Sequence, residues 1–80
     1  MEEIEIVQRI GVLVDDEHAL ERAHAGSAPS EEEVARLRAI EVALDQCWDL
    51  LRQRRARREA GQNPNDAALR PERIVEGYQQ

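Results

Sequence analysis

The sequence predicts an all-α fold: an antiparallel helical hairpin, with helices over about residues 2–25 and 31–60, and a mostly irregular C-terminal tail. Three observations predict it. Apolar residues recur at helical spacing along two long proline-free stretches. A Gly-Ser-Ala-Pro-Ser turn at residues 26–30 separates those stretches. Phe is absent and Trp48 and Tyr78 are the only aromatic residues, so the core must come from Leu, Ile, Val and Ala, which suits helices better than a small β-barrel.

In the first helix, Val7, Ile10, Val14 and His18 form one row, and Ile6, Leu13 and Leu20 form a second. Together they make a broad apolar stripe. Gly11 sits mid-helix at a cost of about 1 kcal/mol relative to alanine, and the expected compensation is close approach of another helix. Gly26 suits the left-handed position after a helix end, and Pro29 cannot continue the helix. Ser30, with Glu33 three positions on, reads as a capping box. Glu31 and Glu32 add negative charge at the positive end of the helix dipole.

The second helix is expected from Glu31 to about Ala60, with Gly61 as its stop. Its buried rows are read as Val34, Leu37, Leu44 and Leu51, with Ile40, Cys47 and Trp48 beside them. Arg52, Arg54, Arg55, Arg57 and Arg58 fill the last turns, where positive charge suits the dipole. A short turn makes the helices antiparallel neighbours, pairing residues whose numbers sum to roughly 55. Leu37 then meets His18, Leu44 meets Gly11, Trp48 meets Val7, and Leu51 meets Ile4. The arginine-rich end is expected to protrude by about two turns. Residues 62–66 read as a loop and Pro71 starts a possible turn, with Ile74, Val75 and Tyr78 available for docking. The organisation expected is a hairpin over 1–61 and a tail over 62–80 docking on the bundle.

At 80 residues the chain is a marginal domain. Cys47 is its only cysteine, which excludes an intramolecular disulfide and a CxxC-type zinc site. Oligomerisation is the remaining way to stabilise so small a unit. The apolar stripes are wider than one partner helix can cover, so a homodimeric four-helix bundle with coiled-coil-like packing is expected. Net charge is −6 and unevenly spread. Residues 1–51 carry thirteen acids and four arginines, a balance of −9, whereas residues 52–80 carry four acids and seven arginines, a balance of +3. The overall sign argues against a general nucleic-acid binder. An acidic N-terminus is unlike a secretory signal, and no apolar run approaches the roughly 20 residues that cross a bilayer. A cytoplasmic protein with no membrane partner is expected. All eleven basic residues are arginine, which reads as the codon bias of a GC-rich genome.

The run from Leu44 through Asp45, Gln46, Cys47, Trp48, Asp49, Leu50, Leu51, Arg52, Gln53, Arg54 and Arg55 to Ala56 resembles the hallmark of an uncharacterised bacterial family, domain of unknown function 2630. Arg70-Pro71 through Val75-Glu76-Gly77-Tyr78, and the stretch from Asp16 to Leu20, are similar to that family as well. The resemblance spans essentially the whole chain. It implies a short protein of a high-GC bacterium with no assigned activity, and it carries over no catalytic residue.

Three groups of residues are candidates for chemistry. Glu21 and His24 form a Glu-x-x-His pair, and Glu17 and His18 lie one turn earlier; four-helix bundles use such pairs to hold iron or manganese. That site also needs glutamates from facing helices, and Glu41 is the only one in the middle of the second helix, so a solvated acidic face is the plainer reading. The arginines from Arg52 to Arg58 can neutralise phosphates, although no aromatics interleave to stack on bases; dipole compensation and salt bridges to an acidic partner segment are the plainer reading. Cys47 lies on an inward row and reads as a small buried apolar residue. Trp48 is expected to anchor the core or dimer interface, with Trp48→Ala costing about 3–5 kcal/mol.

The function expected is therefore non-enzymatic, with no catalytic residue and no cofactor. It is a self-associating helical bundle that meets an unidentified cytoplasmic protein, with Val7, Ile10, Val14, Leu37, Leu44, Trp48 and Leu51 as core or interface. Binding of nucleic acid or ribosome through the arginines is the first alternative, and a metal-binding bundle using Glu17, His18, Glu21 and His24 is the second.

Overall fold

Local signals set the ends of both long helices. The computed structural model describes residues 1–24 and 26–75, and the docking expected of Val75 and Tyr78 falls outside what it describes. Helix α1 spans Glu3–Ala23. Its start is tied by the Glu2 backbone N–H donating to Glu5 Oε1 at 3.0 Å. Helix α2 spans Glu31–Glu59. Its Ser30–Glu33 capping box forms reciprocally, at 3.2 Å from the Glu33 N–H to Ser30 Oγ and 3.1 Å from the Ser30 N–H to Glu33 Oε1. At the far end, the Gln62 N–H reaches the Arg57 carbonyl and the Gly61 N–H the Arg58 carbonyl. Gly61 has φ +74°, so this is the Schellman ending that the glycine foretells. A 3-10 turn, Pro64–Asp66, and a short helix α3, Glu72–Val75, follow.

The two long helices form an antiparallel hairpin, and the described residues contain no strand. The predicted register is close. His24 pairs with Glu33 near the turn, and Arg54 lies 3.9 Å from Glu2 at the open end. The buried core is Ile6, Ile10 and Leu13 of α1 against Ile40, Cys47, Leu50 and Leu51 of α2.

This core corrects the expected faces. On α1 the row of Ile6 and Leu13 turns inward with Ile10, while Val7 and His18 of the other row are exposed. On α2 Val34 and Trp48 are exposed, and Leu50, not among the expected inward residues, is buried. The cause is the tail. It lies along α2 beside Asp49 and Gln53, and Ala67 packs onto the core, so α2 has two neighbours to satisfy and turns its buried arc towards Leu50. Gly11 is corrected too. A Cβ built there meets nothing within 4 Å, so among the described residues no other helix approaches it.

The molecule measures 50 × 24 × 17 Å. A helix with its side chains is about 10 Å across, so 17 Å accommodates one layer of helices and part of a second. Its radius of gyration of 14.9 Å exceeds the ~12 Å expected of a compact 80-residue domain. Domains normally bury an apolar layer against another layer. Here the described part of the tail, residues 62–75, supplies that cover on one side.

Candidate interaction surface

Adjacent helical residues are rotated by about 100° around the axis. On α1, one such step from Ile6 and Ile10 reaches Val7 and Gly11; on α2, the same step from Cys47 reaches Trp48. Because the helices run in opposite directions, equal rotations bring these rows to the same side of the hairpin. Ile4, Val7, Gly11, Val14 and His18 therefore share one face with Val34, Leu37, Leu44 and Trp48. Ile4, Val7, Val34 and Trp48 are exposed, Trp48 by 47%, while Val14 and Leu44 are half-buried against the core and Leu37 is half-buried. A contiguous apolar face of this kind marks an interaction site more often than it marks idle surface. Of the expected core or interface residues, Ile10 and Leu51 are core, and Val7, Val14, Leu37, Leu44 and Trp48 line this face. Trp48 is thus no anchor of the single-chain core.

The opposite side of α2 is built for the tail. Gln46, Asp49 and Gln53 recur at i, i+3 and i+7 on that side. Gln46 Nε2 donates to the Arg70 carbonyl at 3.3 Å, and Gln53 Nε2 to the Ala68 carbonyl at 2.6 Å. The Arg70 guanidinium grips Asp49 with two parallel bonds, Nε to Oδ2 at 2.9 Å and Nη2 to Oδ1. Gln53 Nε2 adds a donor at 2.9 Å to Asp49 Oδ2. Asp49 is fully buried. Burial alone would raise its carboxyl, yet hydrogen bonds from Arg70 and Gln53, with the charges of Arg70 and Arg52, outweigh that and hold it below the ordinary aspartate value. Arg38 and Glu72 add an exposed contact at 2.7 Å. Reading the sequence by apolar rows alone misses this latch; the signal for it is the polar row of Gln46, Asp49 and Gln53, together with one arginine within reach in the tail.

The arginine cluster is less available than a protruding end implies. Arg54 is buried, and its Nη1 donates to the Pro64 carbonyl at 3.2 Å and to Asn65 Oδ1 at 3.0 Å. Arg57 reaches Gln62 Oε1 at 3.5 Å, and Arg58 reaches Glu3 Oε1 at 3.4 Å. Arg52, Arg55 and Arg58 remain exposed. The returning tail draws Arg54 and Arg57 inward, and Glu3 at the start of α1 holds Arg58 at the surface.

Glu17, His18 and Glu21 bring one donor atom each within 4.8 Å of one another. His24, the fourth metal candidate, pairs with Glu33 instead. The trio lies on one turn of α1 with His18 and Glu21 exposed, an arrangement that surface acidic groups commonly adopt. Glu33 is held below the ordinary glutamate value, chiefly by its bond with the Ser30 side chain, with His24 contributing less. Burial pushes the Cys47 thiol up, which favours the unreactive protonated form.

Residues 2–80 match the family described as protein of unknown function (DUF2630). Relatives in Mycobacterium bovis and Mycobacterium tuberculosis, each an uncharacterised protein, are 51% identical over 76 residues, covering 92% of this chain and 86% of theirs. No solved structure matches the chain. The chain belongs to this family.

Proposed function

From membership of a family without an assigned activity, and from the open face of the hairpin, we propose that the protein is a non-enzymatic cytoplasmic interaction module that self-associates through that face. The observation that carries the reading is the apolar surface of Ile4, Val7, Val14, Leu37, Leu44 and Trp48 on a molecule only 17 Å thick. The accessible surface, 5651 Å², exceeds by several hundred Å² the ~4,900 Å² usual for a compact monomer of 9.1 kDa. A stable interface removes about 800 Å² from each partner. A second copy packed against this face completes a four-helix bundle, the arrangement in which such stripes are buried on both sides.

Light scattering at micromolar concentration tests this. The expected mass is that of two chains, falling to one chain in Leu44→Glu with helicity retained. A folded wild-type monomer rejects the module as self-associating, and a dimeric Leu44→Glu rejects this face. The nucleic-acid reading rests on the exposed Arg52, Arg55 and Arg58, and no observation favours it over self-association.

A further inference from the structure

The open face has a charge polarity along its length, and that polarity selects an orientation. Around the turn, residues 12–24 carry four acids and one arginine, and residues 31–44 carry four acids and two arginines, a net −5. At the open end, residues 1–11 carry three acids and one arginine, and residues 45–59 carry three acids and five arginines, a net of zero. The same gradient runs along the face of α2. From Leu37, steps of three and four residues give Glu41, Leu44, Trp48, Arg52 and Arg55, acidic towards the turn and basic towards the open end. Glu41 and Arg55 are both exposed.

Resting on the self-association proposed above, we infer that the second copy docks antiparallel, its turn at the open end of the first, with Gly11 of both chains near the two-fold axis. In the parallel alternative the two −5 halves lie side by side, and like charges facing one another oppose association. Reversal sets each acidic half beside the other chain's neutral half and brings the Arg52–Arg55 end towards the partner's Glu41. A second copy is the occupant because a single reversal satisfies both ends at once, as a two-fold, self-complementary interface requires. Gly11 fits the same geometry. It lies on the open face, about midway between the apolar ends of its row at Ile4 and His18, with open space where a Cβ would stand. Among the described residues nothing approaches Gly11 to offset its cost to the helix, whereas on a two-fold axis a missing side chain lets two helices approach closely.

Pulsed electron–electron distance measurement on the full chain spin-labelled at Ala28→Cys reads the orientation. The buried Cys47 is left in place, and the experiment is repeated in a Cys47→Ala background. With a rise of 1.5 Å per residue, antiparallel docking separates the two turns by about 45 Å, whereas parallel docking brings them within roughly 20 Å. Labels at Gln62→Cys, beyond the end of α2, give a second long distance and keep the test valid if the turn variant fails to fold. Two long distances are the expected result. Short distances in a confirmed dimer overturn the orientation and leave self-association standing, and a chain that stays monomeric at every concentration overturns both.

Discussion

Asp49 exposes none of its surface, yet its surroundings favour the charged form, because Arg70 and Gln53 supply donors that water would otherwise provide. Removing one side of such a pair leaves a buried charge unmatched, so Arg70→Ala should cost about 3 kcal/mol of stability. Asp49→Leu combined with Arg70→Leu should recover most of that loss, and urea unfolding of the three proteins measures it. The pH dependence has a definite sign. The folded-state value of Asp49 is depressed, so its contribution is complete above the ordinary aspartate value of about 3.9 and is lost as pH falls through the lower folded value. The stability difference between wild type and Asp49→Asn should therefore shrink in acid, as read from thermal unfolding at a series of pH values. At this scale the sequence was only partly legible. Cys47 was readable as a buried small residue, because its row is apolar. Asp49 was not, because its partner lies 21 residues away in the tail.

The helix ends were the most legible elements, since a cap depends on neighbours within four residues. Ser30→Ala should destabilise the chain by about 1 kcal/mol, measured by denaturant unfolding. The core faces were less legible. Each long helix carries apolar residues over a wide arc, and periodicity cannot say which part of the arc faces the other helix while a third segment competes for α2. The docking of residues 64–70 decides it, turning α2 so that Leu50 is buried and Trp48 is not. Gly11 gives a prediction with two signs. With no atom within 4 Å, Gly11→Ala should stabilise the folded single chain by up to about 1 kcal/mol. The same change should weaken self-association if Gly11 lies at the contact. Unfolding at low concentration and dimer dissociation on dilution separate the two effects.

At the scale of the whole molecule, one layer of helices is covered on one side by the described tail and is open on the other, where the proposed second copy would dock. The hairpin was legible because two long periodic segments and one short turn leave few alternatives. Stripe width points to an uncovered face, and Val7, Val14, Leu37, Leu44 and Trp48, read from the sequence as core or interface, lie on it, whereas the burial of Leu50 is not readable from the rows. Trp48, the chain's only tryptophan, sits on that face, 47% exposed in the single chain. Trp48→Ala should therefore cost the single chain less than the loss of a fully buried tryptophan would, while raising the dimer dissociation constant tenfold or more, as expected of a central aromatic anchor. The emission of Trp48 itself, followed from micromolar concentration through serial dilution, reads burial of the open face by a second copy. The expected result is blue-shifted emission protected from quencher at high concentration, moving to solvent-exposed emission on dilution and in Leu44→Glu with helicity unchanged. Solvent-exposed emission at every concentration would contradict it.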